Sequence, residues 1–213
     1  MKKQLPKCKF CKTRFVPFGN NGLQPYCLKT EECRTFATSI VVGKVKKAND
    51  KKERAKDKAT KIEVYKKENT SDLQKEINKL ARMIDTKFDY TTCIDCGRNF
   101  GKQTDAAHYH SRGAHPALRF NLDNLHSAAS NCNQWSDKHK EGYKDGLVTR
   151  YGEAYAHYIY SLPLDFPETH LTAQDIYEKL TLVRKLIRTF ESYKFESSIQ
   201  ARKLLNKIIN IYQ

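Results

Sequence analysis

Apolar residues recur at helical spacing in three stretches of the chain, and these stretches predict amphipathic helices. They cover residues 70–85, 171–195 and 197–213, and Ser71 and Thr172 are expected to cap the first two. In each stretch the apolar positions share one helical face: Leu73, Ile77, Leu80 and Ile84; Ile176, Leu180, Val183, Ile187 and Phe190; and Ile199, Leu204, Ile208 and Ile209. The pattern predicts a mainly helical protein.

Residues 44–69 have a different character, because Lys, Glu, Asp and Ala dominate and Gly and Pro are absent. This composition predicts a solvated charged helix or a semi-rigid linker that separates two lobes. We therefore predict four regions: a cysteine-containing module at 1–43, a charged helical linker at 44–87, a cysteine- and histidine-rich domain at 88–152, and a helical region at 153–213.

The net charge of the chain indicates which class of partner it binds. It contains 39 Lys+Arg against 24 Asp+Glu, a formal net charge of +15. Such a surplus predicts a polyanionic partner. No stretch approaches the roughly 18 apolar residues of a membrane span, and the first residues lack the apolar core of a signal peptide. We expect a cytoplasmic protein that binds nucleic acid and no membrane.

Seven cysteines in a chain expected to be cytoplasmic favour metal binding over disulfides. Cys8 and Cys11 form a close pair, and Cys27 and Cys33 follow it. Two cysteines on a tight turn and two more about twenty residues on can converge on one Zn²⁺ as a four-cysteine site, although the five residues between Cys27 and Cys33 exceed the usual two to four. We expect residues 1–43 to form a zinc-finger-like module in which the zinc is structural.

The second cysteine-rich stretch also contains most of the histidines. Cys93-Ile-Asp-Cys96 precedes a predicted strand at 105–110, a loop, a second predicted strand at about 119–126, and a helix beginning near Cys132-Asn133. Phosphodiester hydrolysis requires a base that deprotonates water and a cation that stabilises the phosphorane. A histidine on a strand and an oxygen ligand on a facing helix can place both around one metal ion.

This stretch resembles the HNH, or ββα-metal, nuclease motif, and more narrowly the NinG/Rap family of lambdoid phage recombination endonucleases. The similarity covers roughly residues 5–155 and is strongest from 80 to 152. Its pieces are Leu80-Ala-Arg82-Met-Ile-Asp85, Cys93-Ile-Asp-Cys96-Gly97, Asp105-Ala-Ala-His108-Tyr109, Leu118-Arg119-Phe120, Leu125-His126 and Cys132-Asn133. The resemblance implies a ββα-metal nuclease core at 88–152 within small zinc-stabilised α+β lobes.

The resemblance also implies site residues. His108 matches the histidine that activates water, and Asn133 matches the asparagine that binds a catalytic Mg²⁺ or Mn²⁺; the alternative for Asn133 is a helix cap. Ala107 stands where many HNH enzymes have an aspartate, and Asp105 lies on the same strand face as a candidate replacement. The further candidates are His110 at the catalytic centre, and Arg112, Arg119 and His139 as DNA contacts.

The family pattern places a cysteine at 129 as well as at 132, so that a second zinc site would join Cys93 and Cys96. This chain has Ala129 there. Three alternatives follow. His126 completes a site of three cysteines and one histidine; or there is a water in the fourth position, or no zinc, and apolar packing holds the lobe; or Ala129 weakens the site. The residues expected to provide that packing are Trp135, Phe100, Leu118 and Phe120. We favour residual zinc binding.

The predicted function is a metal-dependent endonuclease that cuts branched recombination intermediates, such as D-loops or Holliday-junction-like DNA. The alternative is a zinc-stabilised, non-catalytic DNA-binding accessory protein of recombination. The C-terminal helices are expected either to pack on the nuclease lobe or to form the face of a homodimer. Recombination proteins are further expected partners.

Overall fold

The computed structural model describes residues 5–18, 24–101, 103–135 and 139–212, except the side chains of residues 134, 135, 139 and 140. The chain divides into two compact units, Met1–Lys61 and Ile62–Gln213. The division into four regions stays a prediction. Among the described residues, no helix is both long and apolar enough to cross a membrane.

Helix α1 (Glu31–Val64) contains most of the charged stretch that was expected to be helical. Helix α2 (Lys66–Lys87) follows, and its N-cap is Tyr65, which makes no side-chain capping bond. The predicted cap at Ser71 is therefore wrong. The Lys- and Glu-rich residues before Ser71 favour helix and extend α2 toward the N-terminus.

The second unit contains one two-stranded antiparallel sheet, formed by β1 (Thr104–His108) and β2 (Leu125–Ala129) among the described residues. In its register Ala107 lies opposite His126 and Asp105 opposite Ala128. Strand β1 ends at His108, and residues 116–120 and 122–124 form short 3-10 turns. The expected strand at 119–126 is thus mostly a pair of turns. The short helix α3 (Ser130–Trp135) follows β2 directly.

Four further helices complete the unit: α4 (His139–Tyr151), α5 (Glu153–Asp165), α6 (Ala173–Arg188) and α7 (Ser198–Ile209). One core joins α2, α6 and α7 to the sheet, and it buries the predicted apolar face of α2. A second core joins the sheet to Cys93, Ile94 and α4–α5. The C-terminal helices therefore pack against the sheet-containing core, which is the first of the two arrangements expected for them.

The structure confirms the predicted cap of α6 and corrects the predicted apolar face of α7. Thr172 caps α6 as predicted, since its Oγ1 accepts from the Asp175 amide at 3.1 Å and Asp175 accepts from the Thr172 amide at 2.9 Å. The predicted face of α7 is only partly right: Ile209 is buried and Ile199 and Ile208 pack against the cores, but Leu204 is 38% exposed. The buried face of α7 consists of Ser198, Ala201, Arg202, Leu205, Asn206 and Ile209.

Hydrogen-bond and ion-pair partners explain why polar residues lie on the buried face of α7. Arg202 is fully buried, and its Nη2 donates to Asp85 Oδ1 at 2.7 Å and to the Leu125 carbonyl at 3.1 Å. The other Asp85 oxygen accepts from the Ser127 amide at 2.7 Å. The ion pair thus ties α2 and α7 to strand β2 and positions the sheet.

Candidate functional site

A turn of the same backbone form carries each Cys-x-x-Cys pair. In the first turn the Cys8 amide donates to the Thr13 carbonyl and the Lys12 amide donates to Cys8; in the second the Cys93 amide donates to Arg98 and the Gly97 amide to Cys93. The residue after each pair has positive φ, 62° at Lys12 and 69° at Gly97. We call the residues 7–14 and 92–99 the first and second knuckle, since each closes with a β-bridge between its end residues.

The first knuckle belongs to a four-sulfur cluster. The sulfurs of Cys8, Cys11, Cys27 and Cys33 all lie within 4.8 Å of one another, and Cys11 and Cys27 are 3.7 Å apart. A tetrahedral Zn²⁺ with bonds of about 2.3 Å places its sulfurs roughly 3.8 Å apart. Burial opposes ionisation, but backbone amides led by that of Cys27 lower the pKa of Cys8 to about 6. These four residues fit a zinc ion.

The second knuckle belongs to a three-sulfur cluster formed by Cys93, Cys96 and Cys132, whose sulfurs also lie within 4.8 Å of one another. Three thiolates fit zinc with one position left for another ligand. Helix α4 supports the knuckle closely, because a Cβ at Gly142 or Gly146 would overlap with the Asp95 or Ile94 backbone. Both clusters could therefore hold zinc.

His126 was expected as a candidate fourth ligand, and the structure does not place it there. It is fully buried, and its Nδ1 lies 3.0 Å from the Tyr143 hydroxyl, which donates to the Ala107 carbonyl. Among the described residues, the group around Cys93 contains only the three cysteines. The prediction of a histidine fourth ligand is wrong because the Tyr143 side chain, contributed by α4, holds the imidazole within the core.

The alternative in which apolar residues hold the lobe around the second knuckle has partial support. Leu118 is buried and Phe100 partly buried in the core that contains Cys93, whereas Phe120 belongs to the core of α2, α6 and α7. The Trp135 side chain lies outside the described residues. Apolar packing therefore surrounds the second knuckle whether or not a metal is bound.

Three of the four predicted catalytic residues, Asp105, His108 and Asn133, line one open cleft of about 680 Å³. Asp105 and His108 come from β1 and Asn133 from α3, and the Asn133 Nδ2 donates to Asp105 Oδ2 at 3.2 Å. Carboxylate and amide oxygens are ligands that Mg²⁺ and Mn²⁺ accept, and such sites keep several positions for water and phosphate. Asp105 and Asn133 thus fit a divalent cation.

His108 is held in one tautomer. Its Nε2 lies 3.0 Å from the Arg119 carbonyl oxygen, which can only accept, so Nε2 carries the proton and Nδ1 the lone pair. Burial lowers the pKa of His108 to about 4, and the charges of Arg112 and Arg119 act in the same direction. His108 is therefore a neutral base near pH 7.

Two of the other candidates lie elsewhere. The His110 ring is buried, with Nε2 2.8 Å from the Ile159 carbonyl, because β1 ends before it and the strand alternation does not reach it. Arg119 directs its Nε to Gln74 at 2.9 Å and lines a different cleft, together with Lys66 and Lys67. Arg112 does line the cleft of Asp105, His108 and Asn133. His139 begins α4, and its side chain lies outside the described residues.

Sequence reasoning missed two cleft residues, Asn78 and Arg82 of α2. They are four residues apart and therefore share one helical face, which differs from the buried apolar face. A polar amide and a cation on one face of a helix that is otherwise anchored in the core were the available signal. Arg82 and Arg112 give the cleft two cations near Asp105 and Asn133.

The comparisons with known proteins all point to one family. The family model described as bacteriophage lambda NinG protein matches residues 1–192. The protein ninG of Escherichia phage 933W is 29% identical over 162 residues, 69% of this chain and 76% of that protein. The ninG proteins of Escherichia phage lambda and Salmonella phage P22 are each 39% identical, over 61 and 62 residues, which is 29% of this chain and 30% of theirs. No solved structure has significant similarity to the chain.

Proposed function

This chain belongs to the NinG family of bacteriophage proteins, and we propose that it is a metal-dependent DNA endonuclease. The observation that carries the proposal is the cleft in which a neutral histidine, two oxygen ligands and two arginines converge. The order of β1, β2 and α3 is the order that the ββα-metal motif requires. DNA is the proposed substrate because the chain carries a net charge of +15.

In this proposal the Nδ1 of His108 accepts a proton from the attacking water. The Arg119 carbonyl keeps the ring oriented, because it holds the Nε2 proton throughout. A divalent cation bound by Asp105 and Asn133 would stabilise the charge of the phosphorane and the leaving oxygen. Arg82 and Arg112 bind the scissile or adjacent phosphates as charged donors.

Arg119, with Lys66 and Lys67, is proposed to contact phosphates farther along the strand. The preference for branched DNA, the recombination partners and a homodimer that makes paired cuts are proposals based on the family resemblance. A non-catalytic accessory protein would bind the same substrates without cutting them.

The test compares wild type, His108→Ala and the control His170→Ala, in which an exposed histidine is removed. Each protein is incubated with labelled four-way junction, D-loop and linear duplex, with Mg²⁺, Mn²⁺ or EDTA. We expect cleavage that EDTA abolishes and that His108→Ala lowers about 10²–10⁴-fold, while DNA binding and the control keep wild-type values. If wild type and His108→Ala bind DNA equally and wild type cleaves none of the substrates, the chain would be a non-catalytic accessory protein.

The pH profile adds a second measurement. The proton acceptor must be neutral, and the pKa of His108 lies at about 4, so this histidine should not limit the rate between pH 6 and 8. The rate should fall as the pH approaches 4. A descending limb centred near pH 6.5 would instead indicate a solvent-exposed histidine as the base.

A further inference from the structure

Ala129 occupies the place that a ligand takes in the first cluster. The Cys27 amide donates to the sulfur of Cys8 at 3.3 Å, and Cys27 is itself one of the four clustered cysteines. In the second cluster the Ala129 amide donates to the sulfur of Cys93 at 3.2 Å. The backbone arrangement is therefore retained, but the side chain at this position is a methyl group that cannot bind metal.

A cleft of about 520 Å³ lies beside that position. It is lined by Ala129 together with Cys96, Cys132, Arg98 and Ser130, among others. Since Ala129 and two of the three cysteines border the same open space, a small molecule can approach the cluster from the side where the fourth sulfur is missing. The volume far exceeds what a single water requires.

The charge of this cleft favours an anionic ligand. Three thiolates on Zn²⁺ give the site a net charge of −1. A fourth anionic ligand would make that charge −2. Arg98 is exposed and lines the same cleft. A cation beside the open position stabilises the additional negative charge.

We propose that the second cluster binds zinc through three cysteines and takes a small thiolate from solution as an exchangeable fourth ligand. Binding forms one metal–sulfur bond, releases one water and one proton, and leaves every atom in its oxidation state. The first cluster, with four sulfurs, has no position for such a ligand. The prediction concerns only the second cluster and is independent of nuclease activity.

Cobalt(II) substitution of the full chain tests the proposal, because sulfur-to-cobalt charge-transfer absorption scales with the number of Co–S bonds. The protein is reduced with a phosphine, loaded with Co²⁺, and titrated with 2-mercaptoethanol or with imidazole. We expect two Co²⁺ per chain, with four and three protein sulfurs, and an increase equal to one further Co–S bond on addition of the thiol. Imidazole should not produce this increase.

Three variants test whether the absorption increase arises at the open position of the second cluster. Ala129→Cys should begin with the higher absorption and not respond to the thiol, whereas Ala114→Cys, which adds an exposed cysteine elsewhere, should respond as wild type does. Ser130→Ala addresses the Ser130 hydroxyl, whose Oγ is buried and has no hydrogen-bond partner among the described residues. A response in Ser130→Ala but not in wild type would make Ser130 the fourth ligand and overturn the proposal.

The remaining outcomes are equally decisive. Binding of a single Co²⁺ per chain, or two Co²⁺ with a spectrum that the thiol does not alter, overturns the proposal. A response to imidazole but not to the thiol overturns the assigned ligand class. Each of these readouts is independent of DNA cleavage, so loss of nuclease activity cannot be mistaken for failure of the metal site.

Discussion

The two knuckles share one backbone conformation but are stabilised in different ways. Each has the same two hydrogen bonds, the same bridge and one residue of positive φ. Around the first, the buried cluster consists of Cys8, Phe15 and Cys33, whereas the second is built into a core that includes α4 and α5. The comparison teaches that a metal in the first cluster would supply most of the core there, whereas a metal in the second would supplement an existing core.

This difference explains why a ligand can be lost at 129. A small cluster cannot bury enough apolar surface to fold alone, so each of its four sulfurs is needed. The second knuckle is positioned by Gly142 and Gly146 of α4, and its unit is further held by the buried pair of Asp85 and Arg202. The fold of the second knuckle therefore depends less on a fourth ligand than that of the first.

The largest effect is expected for Cys8→Ser. It removes a ligand from the unit whose stability depends on metal, and structural zinc supplies about 10 kcal/mol or more of folding free energy in such modules. Zinc content should fall by one per chain, and residues 5–18 and 24–33 should lose protection from hydrogen exchange. The matched change Cys93→Ser should leave most of residues 62–213 protected; similar losses in both variants would contradict the comparison.

Arg202→Met tests what stabilises the second unit besides its cysteine cluster. The variant leaves Asp85 buried without its partner, which typically costs about 3–5 kcal/mol. Urea unfolding followed by circular dichroism should show this loss with unchanged zinc content. The control Lys207→Met alters an exposed residue of the same helix and should stay within about 0.5 kcal/mol of wild type. A loss under about 1 kcal/mol for Arg202→Met would mean that the ion pair is not what holds this unit.

Gly146→Ala separates the scaffold of the second knuckle from its ligands. The added Cβ would overlap with the Ile94 carbonyl oxygen, so the knuckle or α4 must move, at a cost of about 1–3 kcal/mol. Chelator competition should show weaker metal binding at the second cluster and no change at the first. Gly43→Ala, where a Cβ meets nothing within 4 Å, is the control. Unchanged affinity at both clusters would show that α4 does not position the ligands.

The sequence was sufficient where a local pattern determines structure. The apolar period of residues 70–85 predicted the buried face of α2, and cysteine spacing predicted the first sulfur cluster. The family resemblance predicted that Cys132 joins Cys93 and Cys96. Prediction from the sequence failed where the burial of a residue depends on polar partners that are distant in the chain. Arg202 and Asp85 are separated by 117 residues, and a periodicity argument assigns both to the surface. His126 was misassigned for the same reason, since Tyr143 is 17 residues away on α4.

The same buried histidine makes the second unit sensitive to acid, which gives the smallest expected effect. Burial holds the pKa of His126 well below its usual value, and the charges of Arg202 and Arg150 act in the same direction. In the unfolded chain the pKa returns to about 6.5. Below that pH the unfolded state binds a proton that the native state does not, so the stability should decrease as the pH falls and should not depend on His126 at higher pH.

The expected slope from this one group is at most about 1.4 kcal/mol per pH unit. Urea unfolding between pH 7.5 and 5 should therefore show a shallower pH dependence in His126→Gln than in wild type, while the exposed control His157→Gln keeps the wild-type slope. Acid also releases metal from thiolates, but both proteins retain every cysteine, so this contribution cancels in the difference. An unchanged slope in His126→Gln would mean that the acid sensitivity of this unit comes from its metal cluster, and the second knuckle would then depend on metal as the first one does.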